Sequence, residues 1–225
     1  MSLIAYDTLF FGGPRKNRDG PSYTKLLVDG KAGEASDTGS VGRLEEHARG
    51  GHVVIDGGEQ YANLGVENYR RHLFIEFGPA EKNNAVMAVF DRVDSRDEHT
   101  YTWNVNLGTE TGLANWQIES ETGSEQGYPT FTLRGAEEGV VKGWVLSPAG
   151  AELHVDEERL YVETKTASAD FLIALSVEPD EPAPFEVLEE GLRGMVFRIG
   201  EATLGYDRKK GDLVNGEKAL NLGVV

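Results

Sequence analysis

The chain contains no cysteine. Disulfides, thiolate metal sites and cysteine nucleophiles are therefore excluded. No apolar run approaches the ~18 residues that a membrane-spanning helix needs, so no membrane partner is expected. No segment keeps a 3.6-residue apolar period for more than about ten residues, so very little helix is expected. Leu44 to Arg49 has room for one helical turn at most, because Gly42 and Gly50-Gly51 bracket it. The first residues carry neither a basic stretch nor a long apolar one, and no signal peptide is visible. Basic charge is scarce: 22 Lys and Arg stand against 38 Asp and Glu, a formal net charge of −16. That field opposes nucleic acid, which needs clustered cations. Three short basic groups, Arg15-Lys16-Arg18, Arg70-Arg71-His72 and Arg208-Lys209-Lys210, sit beside turns or strand ends and read as solvated charge. No P-loop, dinucleotide-binding glycine turn or Ser-His-Asp signature is present.

What the chain does have is strand signal and turn punctuation. Its 225 residues include 28 glycines and eight prolines, and 39% are hydrophobic, enough to bury a core. Thr24 to Val28 alternates and ends in Asp29-Gly30, a good two-residue turn. Further strands are expected at 51–55, 68–77, 85–93, 130–133, 140–146, 152–155, 160–166 and 169–177. A Pro-rich acidic loop, Glu178 to Pro184, precedes strands at 185–188, 194–199, 201–206 and near Leu213. Arg208-Lys209-Lys210-Gly211 forms the tip of the last hairpin. Short strands at regular spacing predict an all-β chain, an antiparallel β-sandwich of stacked sheets. Only about 40 residues follow the Pro-rich loop, too few for a second core, so residues 1–225 are expected to form one domain.

The most informative stretch runs from Ala85 to Gly108. Ala85 to Val93 reads as a strand buried on both faces. Arg92 to Glu98 is hydrophilic enough to be a turn at the rim. The residues that follow alternate, with His99, Tyr101, Trp103, Val105 and Leu107 on one side and Thr100, Thr102, Asn104 and Asn106 on the other. Burying each large apolar side chain contributes roughly 1.5–3 kcal/mol, which fixes the register. The Thr/Asn row can hydrogen-bond sugar hydroxyls or simply face water.

The five histidines, His47, His52, His72, His99 and His154, show no metal-ligand spacing. His47 and His52 flank a glycine turn and could approach each other. His99 reads as a strand-end residue, and Asp91-Arg92 as an ion pair or turn-holding pair. Arg70 and Arg71 point to opposite faces, so at most one can clamp a bound carboxylate; Arg71 is kept as the candidate, beside the structural alternative of a pair with Asp or Glu. Trp103 and Trp144 belong to apolar strands and read as core. Trp116 is the tryptophan best placed to stack on a sugar ring.

The order of the motifs carries a resemblance. Val28-Asp29-Gly30, Asp56 with Tyr61, Tyr69-Arg70-Arg71, Val89-Phe90-Asp91-Arg92-Val93 and His99-Tyr101-Trp103 follow one another over residues 20–108. This series resembles the C-terminal β-sandwich portion of the heparinase II/III-like polysaccharide lyases. The resemblance implies a parent enzyme that cleaves uronic-acid polysaccharides by β-elimination, with catalytic groups drawn mostly from an N-terminal α/α toroid absent here. The family's H-x-H-x-D segment is also absent. Where the family often carries His-Asn-Thr, this chain has Tyr23-Thr24-Lys25, so the family's zinc ligand set is incomplete and no metal site is assigned. The chain alone is then expected to be inactive, to brace the toroid and to wall one side of a polysaccharide cleft. No catalytic residue is assigned to it. The resemblance implies a periplasmic or extracellular parent. Two other readings stand beside it, a non-catalytic carbohydrate-binding module using Trp116, Arg71, Thr102, Asn104 and Asn106, and a purely structural sandwich. Pairing of a sheet edge with a second copy would give a homo-oligomer.

Overall fold

The computed structural model describes residues 3–5, 8–11, 26–33, 39–79, 82, 84–107, 119–135, 138–156 and 159–223. Strands β1 (Leu3–Ala5) and β2 (Thr8–Phe11) pair with each other. The next eleven strands form one antiparallel sheet. They are β3 (Leu26–Val28), β4 (Lys31–Ala32), β5 (Ser40–His47), β6 (Gly50–Asp56), β7 (Val66–Phe77), β8 (Ala85–Asn106), β9 (Glu119–Glu125), β10 (Tyr128–Arg134), β11 (Val140–Ser147), β12 (Leu153–Val155) and β13 (Arg159–Glu178). The spine of that sheet runs β5-β6-β7-β8-β13-β11-β10-β9, with β3 on β8, β4 on β3 and β12 on β13. The Pro-rich loop then leads into a four-stranded meander, β14 (Phe185–Gly191), β15 (Gly194–Ile199), β16 (Ala202–Asp207) and β17 (Asp212–Asn215). Helix is confined to α1 (Gly58–Tyr61), a 3-10 turn at Ala62–Leu64 and α2 (Glu217–Leu220) among the described residues. None of these is long and apolar enough to cross a membrane. The architecture is an all-β sandwich, as the strand pattern predicts.

Two cores flank the large sheet. On one face Phe74, Phe90, Trp144 and Leu172 pack against Phe185, Phe197, Leu204 and Tyr206 of the small sheet. On the other face Val93, Tyr101, Trp103, Phe131, Val162 and Phe171 form a second apolar cluster. Ala85 to Val93 is therefore covered on both sides, as its unbroken apolar run requires. Both halves of β8 and of β13 contribute to the second cluster, so the two long strands curl over to enclose it. The irregularity that allows this lies at Thr166/Ser168 of β13, opposite Asp94 and His99 of β8.

That geometry corrects the reading of Arg92 to Glu98. They are not a turn between two strands: β8 is one strand of 22 residues, and Ser95 to Glu98 bulge out of its pairing with β13. Ser95 anchors the bulge, donating its hydroxyl to the Asp97 carbonyl at 2.7 Å and meeting the Tyr101 hydroxyl at 2.6 Å. Residues 44–47 also differ from expectation, being strand β5 rather than a helical turn. Pairing with β6 overrides the local helix preference, and Gly42 sits at the bulge between Val41 and Arg43. The Asp29-Gly30 turn forms as expected between β3 and β4, with φ of 50° and 74°.

Candidate functional site

Strands β6 and β7 pair so that His52 faces Phe74 and Val54 faces His72. His52 and His72 are thus diagonal neighbours on one face of the sheet, the face that meets the small sheet. Both are buried, at 4% and 2% exposure. Asp212, the first residue of β17, comes to them from the small sheet, just past the basic hairpin tip. Arg43 reaches in from β5. Its guanidinium donates to both oxygens of Asp212, Nη1 to Oδ2 at 3.1 Å and Nη2 to Oδ1 at 2.6 Å. Arg43 Nη2 also lies 3.3 Å from His52 Nδ1, and His52 Nε2 lies 3.2 Å from His72 Nδ1. His72 Nδ1 is 3.5 Å from Asp212 Oδ1.

The donor inventory orders this chain of contacts. A guanidinium only donates, so His52 Nδ1 accepts and its proton sits on Nε2. That proton goes to His72 Nδ1, which leaves the His72 proton on Nε2, a buried nitrogen with no partner among the described residues. Burial, then the charge of Arg43, lowers the pKa of His52. Burial, followed by the neighbouring His52, lowers that of His72 to about 3. Both imidazoles are neutral at neutral pH. Burial pushes the Asp212 carboxyl up, but the hydrogen bonds and charge of Arg43 overcome it and hold the group below its ordinary value. Beside this cluster opens a pocket of about 280 Å³ whose wall includes Arg43, Arg70, His72, Lys210 and Asp212. The pocket wall carries one neutral imidazole, two carboxylates (Asp56 and Asp212) and three cations, with His52 hydrogen-bonded to the His72 ring.

Sequence reasoning missed this cluster because its members come from four strands in two sheets. The available signal was alternation: His72 shares its strand face with Phe74, which marks it as buried. No spacing rule reaches Asp212. His47 does not approach His52 as a partner; it stacks on Phe74 with ring centroids 5.6 Å apart.

The residues singled out from the sequence lie elsewhere. Arg71 points away from the pocket and forms a two-pronged ion pair with Asp91, Nε to Oδ1 and Nη2 to Oδ2, both at 2.6 Å. Asp91 is fully buried, and the Tyr69 hydroxyl donates to the same Oδ1 at 3.3 Å. Asp91 and Arg92 do not pair with each other, since alternation sends them to opposite faces; Arg92 binds Asp170 instead. The Thr/Asn row is enclosed rather than wet. Thr102 donates to Glu163 at 2.8 Å, and Asn104 and Asn106 are 0% and 1% exposed. Trp116 and the Tyr23-Thr24-Lys25 position lie outside the described residues. The Tyr23-Thr24-Lys25 position holds no histidine, so the zinc ligand set of the resembled family is incomplete in this sequence.

The resemblance motifs prove to be mutual contacts. Asp29 accepts hydrogen bonds from His99 Nδ1 at 2.7 Å and from the Thr100 amide at 2.9 Å. Tyr61 donates to the Leu26 carbonyl at 2.9 Å and meets Tyr69 edge-on. Tyr69 and Arg71 both hold Asp91. The motifs form one network across β3, β7 and β8.

No family model and no curated protein matches the sequence. Solved structures do match by shape. Heparan sulfate lyase HepC from Pedobacter heparinus superposes on 96% of this chain with a TM-score of 0.62 at 9% identity. A heparinase III superposes on 87% of it with a TM-score of 0.54, also at 9% identity. The fold is heparinase-like. This chain corresponds to 36% of HepC and 30% of that heparinase III, so it spans about a third of the solved chains that share its fold. Within this sandwich the V-D-G turn meets the His99 end of β8, and the Tyr-Arg-Arg strand meets Asp91 of β8.

Proposed function

We propose that this chain is the β-sandwich portion of a heparinase II/III-like polysaccharide lyase, acting on a uronic-acid polysaccharide only together with an α/α toroid. The observation that carries the reading is the match to HepC, which covers 96% of this chain but 36% of that enzyme. The motif residues support it in that Tyr69, Arg71 and Asp91, which carry the resemblance, bind one another across β7 and β8. The role is to support the toroid and form one wall of the cleft, and the parent enzyme works in the periplasm or outside the cell.

The test compares two proteins. The full open reading frame, carrying several hundred helical residues ahead of this segment, produces unsaturated uronate absorbance from a panel of acidic polysaccharides. The isolated chain produces none. Turnover by the isolated chain, or a reading frame with no helical domain, overturns the proposal. In the second case a binding module remains, and NMR titration with millimolar uronate and neutral oligosaccharides distinguishes it from a sandwich without a ligand.

A further inference from the structure

None of Arg43, His52, His72 and Asp212 belongs to the motif series, although Asp56 and Arg70 of that series line the adjoining pocket. The cluster lies on the opposite face of β7 from Arg71 and joins the two sheets. One nitrogen from each histidine and one carboxylate oxygen of Asp212 lie within 4.8 Å of one another. Two of the separations are 3.2 Å, between His52 Nε2 and His72 Nδ1, and 3.5 Å, between His72 Nδ1 and Asp212 Oδ1. A tetrahedral ion with ligands at ~2.0–2.1 Å has edges of roughly 3.3–3.4 Å. The two contacts bracket that value. Ligands of this kind, two imidazoles and a carboxylate, suit zinc and its neighbours rather than calcium, which takes oxygen ligands.

The surroundings fit as well. Phe90 packs edge-on against His72 at 5.1 Å and Phe74 lies edge-on to His52 at 6.5 Å, so both rings are held in orientation by packing. With Nε2 as a ligand the His52 proton moves to Nδ1, on the side where Glu45 Oε2 lies 3.9 Å away, an acceptor that a small side-chain shift brings into hydrogen-bond reach. The adjoining pocket opens to solvent, giving an entry path and room for a further ligand. Arg43 is the internal competitor: its guanidinium holds the carboxylate oxygen, Oδ1, that lies nearest His72.

We propose that His52, His72 and Asp212 form a binding site for a divalent ion of the zinc class, in which the metal displaces Arg43 from Asp212. The ligands differ from the position at which the resembled family carries a histidine, and the inference does not depend on the lyase reading.

The experiment is calorimetric titration of the chelator-stripped full chain with zinc chloride, with calcium chloride as comparison. One zinc per chain and no saturable calcium binding are expected. Asp212→Asn, which is part-exposed and keeps an oxygen for Arg43, should weaken zinc binding about tenfold or more, as should His52→Gln. Arg43→Met should tighten it. Circular dichroism of each variant without metal verifies folding, and the Arg43→Met arm reads in the opposite direction to any loss of structure. Absence of stoichiometric zinc in the parent chain, or unchanged affinity in folded Asp212→Asn, overturns the site. Weaker binding in folded Arg43→Met overturns the displacement.

Discussion

Replacing Asp91 by Asn should be among the most damaging single changes in this chain. The Asp91 side chain is 0% exposed and that of Arg71 only 13% exposed, with both guanidinium contacts at 2.6 Å. Burial works against the charge on Arg71, but the Asp91 carboxylate more than offsets it, so the guanidinium stays charged. The asparagine keeps the shape and removes the counter-charge that offsets the burial of Arg71. Breaking a buried pair in this way costs about 3–5 kcal/mol. The Tyr69 hydroxyl also loses a charged acceptor, a bond worth roughly 1.5–3 kcal/mol, so the two effects overlap and Asp91→Asn should fall near the middle of the first range. The Arg71→Met/Asp91→Leu double variant should recover part of that loss, because an apolar pair avoids desolvating two ions, while the buried Tyr69 hydroxyl still lacks its Asp91 acceptor. Urea denaturation followed by circular dichroism and tryptophan fluorescence measures both, provided the slope against urea is unchanged. A loss below about 1 kcal/mol in Asp91→Asn, or a double variant as unstable as the single one, would refute the reasoning.

Three further outcomes follow from the same kind of geometry. A Cβ added at Gly143 would stand 2.2 Å from the Phe131 ring, so Gly143→Ala should destabilise by about 1–3 kcal/mol in urea denaturation, and Gly143→Ala/Phe131→Leu should recover part of it. Phe185 stacks on Trp144 at 4.9 Å between the two sheets, so Phe185→Ala should cost about 3–5 kcal/mol and red-shift tryptophan emission in the folded state. The His99 hydrogen bond, followed by that of the Thr100 amide, holds the Asp29 carboxyl below its ordinary value. A carboxyl lowered in the folded state contributes stability that is present above its unfolded pKa and lost as pH falls through the folded one. Asp29→Asn, compatible with the positive φ of that turn, should flatten the acid limb of a melting-temperature profile; an unchanged limb would show that the bond carries no electrostatic weight.

The sheets were largely legible because their side chains obey short-range rules. The unbroken apolar run of 85–93 states that this strand is covered on both faces, whatever packs against it, whereas in β7 the face with more apolar residues, ending in the exposed Phe77, is less buried than the one carrying His72 and Phe74. Asp29-Gly30 announces a hairpin because few residues tolerate two successive positive φ values. Arg92 to Glu98 misled because charge density marks a turn and a bulge equally well, and only the partner strand tells them apart. The Thr/Asn row misled in a related way. Polar side chains on the second face of a strand face water in an open sheet, but β8 curls, and its second face is covered. The Arg43-His52-His72-Asp212 cluster was beyond reach for a different reason: Arg43 and Asp212 are 169 positions apart, and their meeting depends on how two sheets stack.

Charge distribution constrains the lyase reading further. A polyuronate needs cations along its path, and this chain carries a net −16. Many of its arginines are already engaged: Arg43 with Asp212, Arg49 with Glu76, Arg71 with Asp91, Arg92 with Asp170, Arg96 with Glu67 and Arg159 with Asp156. A guanidinium that spends its fork on an internal carboxylate offers little to a substrate carboxylate. At physiological salt the Debye length is about 8 Å, so distant acidic residues matter little inside a cleft, but cations there must be local. On the proposed lyase reading, the positive wall of the cleft is then expected on the toroid. The isolated chain should accordingly pass unretained through a column of immobilised uronic-acid polysaccharide even at low ionic strength, while the full protein is held and released by salt. Salt-sensitive retention of the isolated chain would place the substrate-facing cations on the sandwich itself, with Arg70 and Lys210 beside the pocket as the first residues to neutralise.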